Sequence, residues 1–508
     1  MARKSGILLH PTSLPGGLGI GDLGRWAYRF VDFLVESGQL LWQILPLGPT
    51  GYGNSPYQAW SSIAGNPLLI DLELLVNRGL LAADDLLKAL PTTSADVSRV
   101  DFDAVAHFKQ PLLRKAALAF LKARPAGEFQ EFENFCLENA SWLNPFARFA
   151  ALREANDEAP WTEWDTAKIA EEQAVEEHKF IQFEFYRQWL ALKKYCNKQG
   201  IQIIGDIPIF MAHDSADVWA NRHLFDLDEK GKPRHIAGVP PDYFSKTGQL
   251  WGNPLYLWDE MEKDGYAWWI NRIHAAMRMT DIIRLDHFRG FEKFYQIPAG
   301  AETAVDGKWV KGPGDHLFEA LNKSLGKLPF IAEDLGYITP DVHALRNRWD
   351  FPGMRVMQFG FGGEQRDNPH TPYNYARNCV VYTGTHDNDT SAGWFAGAET
   401  LDASEEALAY MGSAGEEPVW DFIRLALASV ADTVILPMQD VLGLGSVARM
   451  NTPSTTANNW KWRITEDALQ PELAVKLYKM IRRFGRYELT GNNESSDSNE
   501  PSEINESS

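Results

Sequence analysis

Two apolar segments of the chain end in carboxylates, and their surroundings suit acid–base and nucleophilic chemistry. Asp286 closes one segment two residues after Arg284, and in an extended strand both side chains would project from one face. The guanidinium would keep Asp286 ionised, as a nucleophile must be. Glu333 closes the next segment after Ile331 and Ala332, and this apolar approach is expected to raise the pKa of Glu333 toward that of a general acid. We expect the two carboxylates about 5 Å apart, the separation found in retaining glycosidases.

A third acid, Asp387, lies between His386 and the pair Asn388 and Asp389, after a later apolar segment. It would stabilise an oxocarbenium-like transition state and hold sugar hydroxyls. Other interpretations are open, because an Asp beside an Arg is often a structural ion pair and a Glu can cap a helix. Carboxylates next to an imidazole also suit a divalent cation. All three acids follow predicted strands, and this convergence favours a catalytic role.

The elements that would position these acids are eight short apolar segments rich in Val, Ile and Leu. They lack polar alternation, as strands covered by helices do. Eight such segments predict a parallel (β/α)8 TIM barrel with catalytic side chains at the C-terminal ends of its strands. The predicted strands are residues 6–10, 41–47, 201–209, 282–286, 330–333, 355–359, 380–383 and 434–438.

The chain has 508 residues, about twice the length of a bare barrel, so insertions are expected after strands two and three. Apolar residues at helical spacing predict helices within 102–156 and a long barrel helix at 176–198. A segment rich in Pro, Gly and aromatics would form a lid over the barrel mouth. The acidic end of the chain has almost nothing to bury, and we expect a disordered tail. The predicted organisation is barrel strands one and two at 1–48, a mainly helical insertion at 49–175, a barrel helix and strand three at 176–211, the lid at 212–264, the remaining barrel at 265–490 and the tail at 491–508.

The composition argues against several partners. A net charge of −19 without a basic patch disfavours nucleic acid and acidic membrane surfaces. No apolar run reaches the length that crosses a membrane. Three Cys residues lie far apart in the sequence, which indicates a reducing compartment. We therefore expect a cytoplasmic protein, or a protein of the plastid stroma if the chain is a processed mature form.

Aromatic residues give a weaker indication of a carbohydrate ligand. The chain has 18 Trp residues, and sugar-binding sites use flat rings against the apolar faces of sugars. Tyr57 and Trp251 are the candidates, because both lie in Gly- and Pro-rich segments that follow predicted barrel strands. Packing on the barrel rim is the alternative role for both rings.

Eight motifs stand in order along nearly the whole chain. They are SGILLHPTSLP from residue 5, NSPYQ from 54, GNPLL from 65, GDIPI from 205, DSADVW from 214, RLDHFRG from 284, EDLG from 333 and HDNDT from 386. Together they closely resemble the 4-α-glucanotransferase family, also called amylomaltase or disproportionating enzyme. So many motifs in the same order make the resemblance specific.

The resemblance implies that Asp286 is the nucleophile, Glu333 the general acid/base and Asp387 the transition-state stabiliser. It implies an α-1,4-glucan donor, a covalent glucosyl–enzyme intermediate, and glucose or a maltooligosaccharide as acceptor. No metal and no organic cofactor are expected. The resemblance places on the substrate the side chains of Ser55, Tyr57, Asp206, Arg284, His287, His386 and Asn459, together with Asp242, Gln249 and Trp251 of a mobile loop on the acceptor side.

Two positions depart from the family pattern. Asn458 stands where the family has Gly before Asn-Trp, and residues 371–374 read Thr-Pro-Tyr-Asn where the family more often has Leu-Pro-His-Asn. Asn tolerates a left-handed backbone better than most residues, so the turn at Asn458 is expected to form. Neither departure touches the three acids.

Residue chemistry alone leaves transfer and hydrolysis open, because both begin with the same covalent step. The resemblance favours transfer. The rival functions are an α-glucan hydrolase, a non-catalytic glucan-binding or scaffolding protein, and a metal-dependent sugar enzyme built on residues 386–389. The presence of all three acids argues against the binding protein.

Overall fold

The computed structural model describes residues 3–89, 96–241 and 246–487. The strands in these ranges are β1 Lys4–Leu8, β2 Leu41–Gln43, β3 Gln202–Ile207, β4 His235–Val239, β5 Gln249–Pro254, β6 Ile282–Leu285, β7 Lys293–Pro298, β8 Lys308–Lys311, β9 Phe330–Ala332, β10 Gly353–Val356, β11 Cys379–Tyr382 and β12 Thr433–Pro437. The α-helices are α1 Arg25–Glu36, α2 Leu72–Asn77, α3 Ala83–Ala89, α4 Phe102–Ala123, α5 Glu128–Glu138, α6 Ala140–Ala155, α7 Glu172–Lys198, α8 Ala216–Ala220, α9 Trp258–Lys263, α10 Ala267–Met279, α11 Arg289–Glu292, α12 Asp315–Leu325, α13 Pro340–Arg348, α14 Ser391–Ala396, α15 Leu401–Met411, α16 Pro418–Ala428, α17 Met438–Val441 and α18 Pro471–Arg483.

Eight strands form a closed parallel barrel, which confirms the predicted fold class. Their order around the barrel is β1, β2, β3, β6, β9, β10, β11 and β12, and β12 pairs with β1 to close it. The strands are buried because helices cover them, so apolar residues continue along each strand. At the β1–β2 contact, a Cβ atom on Gly6 would lie 2.4 Å from the carbonyl oxygen of Leu41, so this close approach requires glycine.

Each predicted strand overlaps an observed one, but several predicted boundaries are wrong. β3 ends at Ile207 rather than at 209, because Pro208 has no N–H group to donate to the ladder. β10 spans Gly353–Val356 rather than 355–359, and a 3-10 turn at Met357–Gly360 follows it. Met357 in that turn is apolar and buried, so the sequence gives no sign that the strand has ended before it.

Helices fill the gap between β2 and β3. α4, α5 and α6 lie in the predicted helical segment and pack on α7, with the rings of Phe120 and Phe180 4.7 Å apart. α7 begins at Glu172, four residues earlier than the predicted start at 176. Its first two residues, Glu172 and Gln173, are polar and exposed, so the apolar periodicity does not mark the start of the helix.

The segment predicted as a lid contains regular structure that the sequence did not reveal. Its strands β4 and β5 join β7 and β8 in an antiparallel sheet of order β5-β4-β7-β8. β7 and β8 form a further insertion after β6, and their short, partly polar sequences resemble connecting segments. Asp242 and the predicted acidic tail lie outside the described residues. None of the helices in the described ranges is long and apolar enough to cross a membrane.

Candidate active site

Arg284 lies at the centre of a charged cluster at the C-terminal end of the barrel. Its Nη1 atom is 2.8 and 2.7 Å from the two carboxylate oxygens of Asp206 and 2.9 Å from Asp286 Oδ1. The register of β3 and β6 places Asp206 opposite Arg284, and Asp286 directly follows β6, two residues after Arg284. Asp206 and Arg284 are buried, whereas Asp286 is partly exposed. One buried guanidinium therefore holds two carboxylates in a fixed arrangement.

Glu333 is buried at the C-terminal end of β9. The backbone N–H of His287 donates to its Oε2 atom at 2.6 Å, and that of Leu335 donates to Oε1 at 2.9 Å. Burial and the negative charge of Asp286 raise the pKa of Glu333 to about 8, against the opposing effect of Arg284. The Glu333 carboxyl group is therefore mostly protonated at neutral pH and can donate a proton.

His287 connects this acid to the small antiparallel sheet. Its φ angle is +49°, in the left-handed region, and its N–H group points to Glu333 from this backbone conformation. Burial lowers the pKa of His287 to about 4, so its ring is neutral. The rings of Trp251 and His287 are nearly perpendicular with their centres 4.7 Å apart, and Trp251 Nε1 donates to Gln249 Oε1 at 3.0 Å. Gln249 and Trp251 lie on strand β5, so they are held by a sheet and not only by a loop.

Tyr57 links the charged cluster to the other side of the barrel mouth. Its hydroxyl group donates to Asp206 Oδ2 at 2.9 Å, and burial together with Asp206 raises the pKa of Tyr57 well above its usual range. Its ring stacks on the His386 ring at 5.2 Å with an interplanar angle of 18°. Ser55 Oγ accepts from the backbone N–H of Tyr57 at 3.3 Å, so Ser55 shapes the turn that presents this ring.

Asp387 is half-exposed at the barrel mouth, on the loop after β11. Asn451 Nδ2 donates to Asp387 Oδ1 at 2.6 Å, and His386 Nε2 lies 3.5 Å from Asp387 Oδ2. The buried Asp440 carboxylate anchors this loop by accepting from the hydroxyl groups of Thr383 at 2.5 Å and Ser391 at 2.7 Å. The loop therefore presents Asp387 from a rigid base.

The sequence prediction assigned no role to two residues that reach this site. Asn451 holds Asp387, and the Trp460 ring lies 5.9 Å from Tyr57 and 5.8 Å from His386. Both residues follow β12, far along the chain from their partners, and neither residue type is diagnostic by itself. Their place close to Asn458, in a segment compared with the family pattern, was the signal that could have found them.

Among the described residues, the hydrogen bonds of the Asn459 side chain go to its own loop and not to the other predicted site residues. Its Oδ1 atom accepts from the Thr452 N–H at 3.0 Å and its Nδ2 atom donates to the Thr455 carbonyl oxygen at 2.9 Å. Both ends of the amide thus hold the loop that carries Trp460. Asn458 has φ of +66°, so the expected left-handed turn forms with Asn in place of Gly.

Two of the possible metal ligands at residues 386–389, Asp387 and Asp389, are held by different partners. Asp389 accepts from Ser446 Oγ at 2.7 Å and from the Thr390 N–H at 2.8 Å, while Asp387 is held by Asn451. In the part of the chain that the structure describes, no group of three or more His, Cys, Asp or Glu residues could hold a metal ion. The absence of a metal requirement remains a prediction.

A series of contacts, continued through the peptide bond between Asp286 and His287, joins ten of the predicted site residues. The series begins at Asp387 and passes through the rings of His386 and Tyr57 to the ion pairs of Arg284. From there it reaches Asp286 and Glu333, and it ends at Trp251 and Gln249 in the antiparallel sheet. The ten residues are Asp387, His386, Tyr57, Asp206, Arg284, Asp286, His287, Glu333, Trp251 and Gln249.

Comparison with known proteins identifies the family of this chain. The model of a family described as 4-alpha-glucanotransferase matches residues 9–469. A 4-alpha-glucanotransferase from Synechocystis is 48% identical, over 95% of this chain and 98% of the relative. One from Thermus thermophilus is 46% identical, over 96% of this chain and 99% of the relative.

The fold agrees as well. A solved amylomaltase from Streptococcus agalactiae, in complex with acarbose, superposes with a TM-score of 0.91 at 40% identity. The match covers 96% of this chain and 100% of that chain. These findings confirm the resemblance seen in the motifs, and the chain belongs to the 4-alpha-glucanotransferase family, whose members are enzymes.

Proposed function

We propose that the chain transfers a segment of an α-1,4-glucan to the 4-hydroxyl group of glucose or a maltooligosaccharide, by a retaining double displacement. The observation that carries this proposal is the contact series that joins Asp286, Glu333 and Asp387 at one end of one barrel. Family membership supports the transferase activity. The raised pKa of Glu333 supports its role as the proton donor.

In the first step, the Asp286 carboxylate attacks the anomeric carbon of the donor sugar. Glu333 gives its proton to the glycosidic oxygen, so the C–O bond breaks and the leaving glucan segment carries a neutral hydroxyl group. In the second step, Glu333 takes the proton of the acceptor hydroxyl, whose oxygen displaces Asp286 from the anomeric carbon. Two inversions restore the original α configuration.

The remaining side chains orient the sugar and its charge. Arg284 keeps the Asp286 oxygen aligned through the 2.9 Å contact, and Asp206 fixes Arg284 from the other side. Asp387 would accept hydrogen bonds from sugar hydroxyl groups and offset the positive charge that develops on the sugar in the transition state. The ring of Tyr57 offers an apolar face beside this acid.

Transfer requires that a sugar reaches the intermediate before water does. The contact of Trp251 with His287 brings β5 against the residue that holds Glu333, so the small sheet lies beside this part of the site. A covered acceptor side excludes water and favours an acceptor that fills the space. This arrangement supports transfer over hydrolysis.

Incubation of the purified protein with maltotriose, without added metal, tests the proposed function. We expect glucose together with a ladder of longer maltooligosaccharides, resolved by chromatography. Maltose and glucose alone would show a hydrolase, and unchanged maltotriose would favour a binding protein. A chelator should leave the ladder unchanged, whereas its loss would support the metal-dependent rival.

Replacing Arg284 by Lys is expected to lower kcat about 100-fold, because a single ammonium group cannot keep Asp206 and Asp286 in the geometry set by the planar guanidinium. Arg377→Lys is the matched control, because Arg377 pairs with Asp432 at the N-terminal end of the barrel. Initial rates on maltotriose measure both variants. Equal rates for the two variants would contradict the role given to Arg284.

A further inference from the structure

Tyr337 is an exposed aromatic side chain close in the sequence to the proposed acid. It lies on the loop after β9, four residues beyond Glu333, and is 72% exposed. Isolated exposed apolar residues are common and need no explanation. Tyr337 differs because neighbouring groups fix its position.

Arg289 holds Tyr337 through a hydrogen bond and a cation–π contact. Its Nη1 atom donates to the Tyr337 carbonyl oxygen at 2.6 Å, and its guanidinium carbon lies 5.4 Å from the centre of the Tyr337 ring. The same carbon lies 3.8 Å from the centre of the Trp309 ring. Arg289 is only 5% exposed, so the cation is largely desolvated between these rings, where cation–π attraction is strongest. We call Trp309, Arg289 and Tyr337 the rim stack.

The rim stack lies on the same side of the barrel as the proposed acid and the small sheet. Leu335, two residues before Tyr337, donates its N–H to Glu333 Oε1 at 2.9 Å, so both ends of this short loop are anchored. Four residues span at most about 14 Å from Glu333 to Tyr337. Trp309 lies on β8, in the sheet that also carries Trp251 on β5. A glucan chain that leaves Glu333 along this sheet would come within reach of Tyr337.

We propose that Tyr337 is a stacking platform for the glucan segment on the leaving-group and acceptor side of the cleaved bond. This inference rests on the proposed function, because Glu333 protonates the oxygen that joins the donor sugar to that segment. The ligand class is an unbranched α-1,4-linked maltooligosaccharide long enough to extend past Glu333. An aromatic ring with one supported face and one open face binds the apolar face of a pyranose and loses little conformational entropy.

Binding to an inactive protein tests this proposal directly. In the full chain carrying Asp286→Asn, the Kd of maltoheptaose and of maltotriose can be measured by calorimetry without turnover. Adding Tyr337→Ala should weaken maltoheptaose binding about fivefold to tenfold more than it weakens maltotriose binding. Tyr337→Trp in the same background should restore the affinity for maltoheptaose, because it restores a flat ring.

An equal change for both ligands, or no change for either, would overturn the platform. Tyr478→Ala is the matched control, because Tyr478 is a partly exposed tyrosine on α18 in the outer helical layer, and it should affect neither ligand. Circular dichroism of each variant shows whether the fold is kept, and the Trp variant tests the proposal if the Ala variant is unstable. Failure of the proposed function would appear separately, as wild-type protein that makes no ladder from maltotriose.

Discussion

Replacing Asp286 by Asn is expected to abolish glucan transfer, with turnover falling at least about 10⁴-fold, while the protein stays folded and binds maltooligosaccharides. The amide is nearly isosteric, but it is a poor nucleophile and carries no charge for Arg284 to align. Initial rates on maltotriose and calorimetric binding of maltoheptaose measure the two properties separately.

Asp432→Asn is the control for this prediction. Asp432 pairs with Arg377 just before β12, at the N-terminal end of the barrel, so the same change there should leave turnover near the wild-type rate. If Asp286→Asn kept a tenth or more of the wild-type rate, another group would have to be the nucleophile.

Replacing Glu333 by Gln is expected to lower transfer from maltotriose about 10³-fold, because the amide can neither protonate the leaving oxygen nor deprotonate the acceptor. A donor whose leaving group needs no proton, such as α-glucosyl fluoride, should still react in the first step and then stall. Burst kinetics of fluoride release measure this difference. Equal losses for both donors would contradict the general acid role of Glu333.

The pH dependence of the wild-type protein should follow the same carboxyl group. Because the pKa of Glu333 is raised to about 8, the protonated acid is lost, and donor cleavage declines, as pH rises through that value. The raised pKa also means that protonation stabilises the fold, and that this stability is lost as pH rises from the ordinary value of 4.5 through about 8. Glu333→Gln should therefore gain melting temperature relative to wild type at pH 9 and little at pH 5. The same difference at both pH values would contradict the burial of an ionisable carboxyl group.

The sequence predicted the barrel because its signal is repeated eight times. Apolar strands such as β11 and β12 differ from the amphipathic helices between them, and the long gap before the third strand predicted an insertion there. The small sheet escaped prediction because β7 and β8 carry lysines and other polar residues, and because their partner strands lie in a segment rich in Gly and Pro.

The site was predictable where chemistry follows from local position. Asp286 and Glu333 end apolar strands, so barrel geometry alone brings them to one edge. The contacts that complete the site are tertiary. The N–H of His287 reaches Glu333 only with the positive φ of His287, and Asn451 reaches Asp387 from a loop 64 residues away. No periodicity or propensity in the sequence encodes such contacts, since they depend on how separate loops pack.

Trapping the covalent intermediate tests the central claim most directly. In the Glu333→Gln variant, α-glucosyl fluoride should glycosylate the nucleophile faster than the intermediate is released. After rapid acid quenching and proteolysis, mass spectrometry should find one added hexosyl group on Asp286, and the adduct should be absent when Asp286→Asn is also present. An adduct on Asp206 or Asp387, or fluoride release with no adduct at all, would contradict the assignment of Asp286 as the nucleophile of a retaining transfer.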